Sequence, residues 1–229
     1  MDDRLYNVKI DCPVCSKRIE VTKVKAKACK VVSRDSDFCV YYEDVNPIFY
    51  DMWVCEFCGY AAQAEKFGKL NSKDSKTILE NITPRWKKRS FLGERDADSA
   101  IEAFKLGLYS LQTIKAKLSD IARVCLRIAW LYRFKNDEKE KDFLKFALSC
   151  YSAAFEKERF PIEKLDETTC MYIIAELNRR VGNLNESVKW FGRIISSPEA
   201  RKNQKLMENT RDQIQLAKEQ IAKSENTIA

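Results

Sequence analysis

Two pairs of cysteines carry the most specific chemistry in this sequence. Cys12 and Cys15 lie in CPVC, and Cys55 and Cys58 lie in CEFC, so two residues separate the members of each pair. This spacing lets one tight turn direct both sulfurs at one ion, and two such turns can complete a tetrahedral shell of four thiolates. Gly59 follows the second pair, where a positive φ helps the chain turn away. The pattern predicts one structural Zn²⁺ ion per chain.

Other chemistry could use the same four sulfurs. Iron fits an identical thiolate shell, and a single C-x-x-C can be a redox-active dithiol or can release zinc when it is oxidised. A redox pair normally opens a helix after a buried strand, whereas strand-like patterns flank both pairs here. With four protein ligands the ion would have no open position for water, so a structural role is favoured over a catalytic one.

The composition predicts a mostly helical protein of the cytoplasm. Six glycines and five prolines in 229 residues are few for a loop-rich β protein, and histidine is absent, which excludes His-based zinc sites and nucleophile pairs. No apolar run approaches the roughly 18–20 residues that span a bilayer, and the first residues lack a signal peptide's apolar stretch. A zinc ion held by four thiolates would lower the formal charge of +7 to about +5.

The segment between the pairs, residues 16–54, is longer than the roughly 15–20 residues typical of compact zinc ribbons. Its alternating and aromatic-rich stretches predict a small three-stranded sheet, with a break at Asn46-Pro47. Lys23, Lys25 and Lys27 would share one face of a strand, where they could contact phosphates. Cys29 and Cys39 are expected to be small apolar residues of this insert and not metal ligands.

Four polar residues of the insert have two interpretations. Arg34, Asp35, Asp37 and Asn46 stand beside aromatic residues. They could form a buried salt bridge and turn caps that brace the insert, or a polar binding site next to the metal. The two aspartates could also serve as general acid and base in an enzyme, although aspartates two apart are ordinary turn residues.

Beyond Ala61 the hydrophobic period becomes helical. AAQAEKF and SKDSKTILENI predict two short helices, and RWKKRSFLGERDADS predicts a linker in which Trp86 docks on a neighbouring surface, with a domain boundary near residue 90. Six longer helical segments follow; they begin at Asp96 or Asp98, at Ser119, in FLKFALSCYSAAF, in DETTCMYIIAELNRR, in NESVKWFGRII and near Glu199. The prediction is a zinc-ribbon-like head over residues 1–90 and a helical domain over residues 91–229.

The helical part shows the spacing of a tetratricopeptide (TPR) repeat once. The residues that fall close to the small, Gly, Tyr, Ala, Phe, Ala and Pro positions of that consensus are Ala175, Gly182, Leu184, Ser187, Phe191, Ile194 and Pro198. The preceding helices repeat it only in degenerate form. A TPR-like antiparallel stack is therefore predicted, with a generic helical bundle as the alternative.

The string CPVC…VVSRDSDF…VNPIFYDMWVCEFCGYAA resembles an uncharacterised bacterial family, common in Firmicutes, that has paired cysteines and a TPR-like tail. The likeness covers most of the chain and is most specific between Cys12 and Phe67. It implies a bacterial protein with a zinc-ribbon-like head and implies no activity. Ser16 departs from the family's usual glycine, which concerns only the local turn.

These observations favour a zinc-binding scaffold that binds a protein or peptide in a helical groove. The sequence has no nucleophile–base pair, no Gly-rich phosphate loop and no open metal position, so an enzyme is the less favoured hypothesis. A nucleic-acid-binding role would use Lys23, Lys25 and Lys27, together with Arg85, Lys87, Lys88 and Arg89. Neither half of the chain is strongly basic, so the sequence does not indicate that role.

Overall fold

The structure is a computed structural model that describes residues 3–228. Six short strands form its N-terminal part, namely β1 (Leu5–Asp11), β2 (Arg18–Val24), β3 (Val31–Arg34), β4 (Val40–Tyr42), β5 (Met52–Val54) and β6 (Ala61–Gln63). The helices are α1 (Ser72–Asn81), α2 (Ala97–Thr113), α3 (Leu118–Phe134), α4 (Lys139–Lys157), α5 (Glu167–Val181), α6 (Leu184–Ser196) and α7 (Gln204–Ile228). The predicted class, mainly helical with a small α+β head, is confirmed.

The strands form three separate antiparallel hairpins, β1–β2, β3–β4 and β5–β6. The prediction of one three-stranded sheet is wrong. The alternation that suggested a long lysine-bearing strand ends at Val24, and Ala26–Ala28 form a 3₁₀ helix instead. The helix predicted from Ala61 is also wrong, because Ala61–Gln63 pair with β5 as a strand.

The six long helices match the six predicted segments, except that α7 begins at Gln204 and not near Glu199, because Ala200–Lys202 form a separate 3₁₀ helix. Local signals explain some of the helix ends. Asp96 caps α2 by accepting a hydrogen bond from the Ser99 N–H. Gly182 ends α5 with a φ of 94°, which suits glycine. The cap predicted at Ser119 is wrong, because α3 begins at Leu118 and the Ser119 hydroxyl donates to Glu158 at the end of α4.

Helices α2–α7 form a stack in which each helix packs against the next in the chain. Short connections make such neighbours antiparallel. Alanines without exposed surface lie where helices approach closely, at Ala129 in α3, Ala147 in α4 and Ala175 in α5. None of the helices in residues 3–228 has both the length and the apolar character needed to cross a bilayer.

The β5–β6 hairpin and the first helices of the stack share one core. Met52, Val54 and Ala61 are buried together with Phe104 of α2 and Ile128 of α3. Contacts between the two parts of the chain are therefore apolar and extensive, so β5–β6, and with it one cysteine pair, has a fixed place against the stack.

Arg95, just before α2, supports the same junction. Its guanidinium is buried and donates to the backbone carbonyls of Phe49, Met52 and Phe91. Burial lowers the pKa of Arg95 to about 10. Arg95 thus donates hydrogen bonds to buried backbone carbonyl groups of β5 and of the turn before it.

Candidate functional site

The two cysteine pairs occupy equivalent turns, hereafter the first knuckle (Cys12–Cys15) and the second knuckle (Cys55–Cys58). The first joins β1 to β2 and the second joins β5 to β6. In each, the N–H of the residue after the last cysteine donates to the carbonyl of the first cysteine at 2.9 Å. That residue has a positive φ in both cases, 57° at Ser16 and 79° at Gly59. Serine therefore adopts the backbone conformation that glycine adopts in the second knuckle.

The four sulfurs converge. The Sγ atoms of Cys12 and Cys58 are 3.7 Å apart, those of Cys15 and Cys55 are 3.6 Å apart, and all four lie within 4.8 Å of one another. A tetrahedral ion with sulfur ligands at about 2.3 Å places its ligands about 3.8 Å apart. The sulfur positions therefore fit one four-coordinate ion. Cys29 and Cys39 are not part of the group, as predicted.

Crowding and burial affect the protonation of these thiols. Cys12, Cys55 and Cys58 are almost inaccessible to solvent, while Cys15 is half-buried. A hydrogen bond shared with Cys55 raises the pKa of Cys12 to about 12, and one shared with Cys12 raises the pKa of Cys58. The hydrogen bond between Cys12 and Cys55 lowers the pKa of Cys55, because the Cys55 sulfur accepts the proton of the Cys12 thiol. A divalent cation would replace these shared protons, so binding would release them.

Helix α1 and the turn after it hold both knuckles from one side. The Ser75 hydroxyl donates to the Pro13 carbonyl of the first knuckle at 2.8 Å. The Thr83 hydroxyl donates to the Cys58 carbonyl at 3.2 Å. These contacts were missed, because an isolated hydroxyl in or after a helix carries no sequence signal of its partner.

Trp86 completes this support, and its predicted docking is confirmed. Its indole N–H donates to the Glu56 carbonyl at 2.7 Å, inside the second knuckle. The ring lies so close to Gly59 that a Cβ there would be 2.7 Å from two ring atoms. Gly59 therefore serves both the turn and the close approach of the indole.

The polar residues of the insert do not gather at the four clustered cysteines. Asp37 is buried, accepts two hydrogen bonds from the Arg133 guanidinium at 2.6 and 3.0 Å, and accepts one from the Trp130 indole at 3.0 Å. Asp35 accepts from Arg133 at 2.6 Å. Because Trp130 and Arg133 belong to α3, these contacts attach the insert to the helical stack, as the bracing interpretation describes.

Arg34 and Asn46 lie apart from this pair. Arg34 is exposed, and Asn46 accepts a hydrogen bond from the Ile48 N–H at the start of a 3₁₀ helix over Pro47–Tyr50. The four residues therefore do not line a common pocket. Asp35 and Asp37 contact α3, and Asn46 is a turn cap.

Sequence reasoning missed the partners on α5. Glu176 is fully buried in that helix and accepts hydrogen bonds from Arg179, Arg180 and Ser36. Arg180 also donates to the Ser36 hydroxyl at 3.1 Å, beside Asp37. A glutamate within the apolar stretch MYIIAEL was the available signal, because a buried carboxylate requires partners.

The surroundings of Asp37 set its protonation. Burial alone would raise its pKa, but the hydrogen bonds from Arg133 and the positive charge of Arg180 lower it below the ordinary aspartate value. A general acid or base works best with a pKa near the working pH. The environment of Asp37 therefore favours a permanent ion pair over proton transfer.

The three lysines proposed for anion contact do not share one strand face. Lys23 lies in β2, with its ammonium 5.9 Å from the ring centroids of Tyr6 and Trp53. Lys25 follows the strand and pairs with Asp3 at 3.0 Å, and Lys27 lies in a 3₁₀ helix. The prediction that the three lysines share one strand face is wrong, because β2 ends at Val24. Nucleic-acid binding stays a prediction from the sequence.

Comparison with known proteins identifies the family of this chain. Residues 5–217 match the model of a family described as "Uncharacterized protein conserved in bacteria (DUF2225)". The chain belongs to this family. No curated protein and no solved structure matches it. The match covers both knuckles and the helical stack, in agreement with the resemblance noted from the sequence.

The contact between Gly59 and Trp86 predicts an unequal response of two glycines to alanine. In Gly59→Ala the new methyl group meets the indole and the residue keeps a φ of 79°, so we expect the free energy of unfolding to fall by about 2–3 kcal/mol. Gly182→Ala is the matched control. Its φ is 94°, but a Cβ at this position would have no heavy atom within 4 Å apart from its chain neighbours and the backbone of its own helix, so we expect a loss of about 1 kcal/mol. Chemical denaturation measures both, and equal losses would contradict the close approach.

Asp37 and Arg34 provide a second matched pair. We expect Asp37→Ala to lower the free energy of unfolding by about 3 kcal/mol, since it leaves part of the buried Arg133 guanidinium unpaired. Arg34→Ala removes an exposed side chain and should cost less than about 0.5 kcal/mol.

The contribution of Asp37 to the free energy of unfolding should also depend on pH. Because its folded pKa is lowered, its contribution is complete above the unfolded value near pH 4 and is lost as the pH falls through the folded value. The stability difference between wild type and Asp37→Ala should therefore shrink below about pH 4. A difference that stays constant from pH 7 to pH 3 would show that ion pairing is not its source.

Proposed function

We propose that this protein is a cytoplasmic protein-interaction module whose N-terminal part is held together by one structural zinc ion. The observation that carries the zinc proposal is the convergence of Cys12, Cys15, Cys55 and Cys58 within 4.8 Å. Four thiolates satisfy zinc completely, so the ion would fix the knuckles and leave no ligand position for a substrate. Iron in the same shell is the competing occupant, and the metal content distinguishes them.

The interaction role rests on the helical stack. Helices α3 and α5 direct arginine and aromatic side chains and one buried glutamate at residues 35–38 of the β3–β4 loop. The surface that holds this loop, hereafter the α3–α5 groove, is defined by Trp130, Arg133, Tyr172, Glu176 and Arg180. Aromatic and arginine side chains are the residue types that contribute most to protein interfaces. Stacked helices commonly bind extended segments along such a surface. A TPR-like superhelix would give the groove its concave shape.

The zinc proposal predicts one zinc per chain. Cys58→Ser should reduce the bound zinc well below one equivalent, and Cys29→Ser, which changes a cysteine outside the cluster, should retain it. Because apparent zinc-binding energies reach about 10–16 kcal/mol, loss of the ion should unfold the head and lower the melting temperature strongly. Elemental analysis and thermal melting measure the two effects.

Acid should release the ion, because protons compete for the thiolates as the pH falls. A folded wild-type chain that carries no metal after purification without added zinc would overturn the structural-zinc proposal. One equivalent of iron in place of zinc would assign the site to iron.

The interaction role is tested with photo-crosslinking residues in the bacterial cell. A probe at Gln220 of α7, next to Arg179 at the edge of the α3–α5 groove, should capture a discrete protein. A probe at Phe146, which is 59% exposed on α4, is the matched control and should not capture the same protein. Equal capture from both positions would contradict the groove, and RNA in the Gln220 adduct would favour the nucleic-acid alternative.

A further inference from the structure

The β3–β4 hairpin stands apart from the other strands. All four residues of β3 are exposed, with Val31 at 53% and Val32 at 65%. Its base is closed by the Glu43 N–H, which donates to the Lys30 carbonyl at 3.0 Å, and by the ion pair of the same two side chains. Within residues 3–228 its two strands pair only with each other. The exposed strand is β3, whereas β4 is half-buried and its Tyr41 ring packs edge-on against Phe134 of α3 at 5.4 Å. The hairpin is therefore held by its tip and by the inner face of β4.

The tip, residues 35–39, lies in the α3–α5 groove, with two of its residues buried and the other three half-buried. Asp37 is 1% exposed and Cys39 is fully buried. The Phe38 ring lies 5.4 Å from the ring of Tyr172 on α5. The contacts to the groove described above are made by side chains: two carboxylates, one hydroxyl and one aromatic ring. Recognition by side chains at a groove is how a bound peptide is held.

The groove side of these contacts is held in part by the helical stack itself. Glu140 at the start of α4 accepts a hydrogen bond from Arg133 at 2.7 Å. Glu176 of α5 accepts from Arg180 and from Arg179 at 2.7 Å each. Because these partners lie within the helical stack, each guanidinium group has a hydrogen-bond partner that does not belong to the loop. A binding site prepared in this way loses little conformational entropy when a ligand enters.

The backbone of the loop adopts an unfavourable conformation at one residue. Phe38 has a φ of 70°, in the left-handed region that bulky side chains rarely adopt. Such a residue carries a conformational cost, because its Cβ crowds the neighbouring carbonyl oxygen. The cost follows from the short loop between β3 and β4, and a segment without that hairpin constraint would avoid it.

We propose that residues 35–38, Asp-Ser-Asp-Phe, are a built-in ligand of the α3–α5 groove and that they occupy it in place of a partner segment of the same chemistry. The partner would be an acidic peptide with two carboxylates two residues apart and an aromatic residue directly after the second. Its binding would displace the tip from the groove. This inference rests on the proposed interaction role and specifies its partner class and its regulation.

The experiment separates the loop from the groove. In one variant, residues 31–42 are replaced by Asn-Gly, a two-residue hairpin turn that joins Lys30 to Glu43 at the base where they already pair. A synthetic peptide of residues 31–42, with Cys39→Ser, should bind this variant and change the fluorescence of Trp130. Wild type, whose groove is occupied, should bind the peptide at least about 10-fold more weakly. A peptide that also carries Asp37→Asn should bind the shortened variant at least about 10-fold more weakly than the parent peptide.

A second variant covers the case in which the shortened chain does not fold. Full-length D37A/F38A keeps the loop backbone and removes its two main anchors, so the peptide should raise its melting temperature as the peptide concentration increases. An absence of binding to both variants, or equal binding of the Asp37→Asn peptide, would overturn the inference. Capture of a protein by the Gln220 probe together with failure of the peptide would retain the interaction role and reject only the built-in ligand.

Discussion

The meeting of two distant turns is the constraint on which the N-terminal part depends. The sulfurs of Cys15 and Cys55 approach to 3.6 Å although the residues are 40 positions apart in the chain. Closing a loop of that length costs conformational entropy, and crowding buried thiols adds an electrostatic cost. A divalent cation would offset both costs, because it would attract all four sulfurs to one point. Helix α1 and Trp86 position the turns and would then not have to supply the whole closing energy.

The closing of the knuckles has consequences for the rest of the molecule. The second knuckle ends the β5–β6 hairpin, and Met52 and Ala61 of that hairpin are part of the core formed with α2 and α3. The cysteine cluster is thereby fixed relative to the first helices of the stack. The chain between the knuckles has to leave this region and return, and the structure uses part of it as the β3–β4 hairpin.

That hairpin joins the helical stack through ion pairs as well as through apolar contacts, because Phe38 packs against the cores of the stack and Tyr41 packs against Phe134. Asp35 and Asp37 meet Arg133 of α3, and Arg180 of α5 lies beside them. Buried ion pairs of this kind add little net stability over apolar packing but penalise every arrangement that separates the partners. They therefore specify where the tip lies. The same property makes the pairing suited to exchange, since another segment with matching carboxylates would satisfy the same guanidinium groups.

The sequence by itself determined the features that depend on local spacing. The paired cysteines, the caps at Asp96 and Gly182 and the six long helices follow from residues a few positions apart, where periodicity and capping act. Tertiary structure decided the rest. Strand alternation past Val24 could not show that the strand ends there, and the short β6 strand owes its form to pairing with β5. Asp37 and Arg133 are 96 positions apart, and no local pattern links a turn aspartate to a helix arginine at that distance. Their pairing arises only when the folded stack brings α3 and α5 around the loop, because electrostatic contacts depend on distance in space and not along the chain.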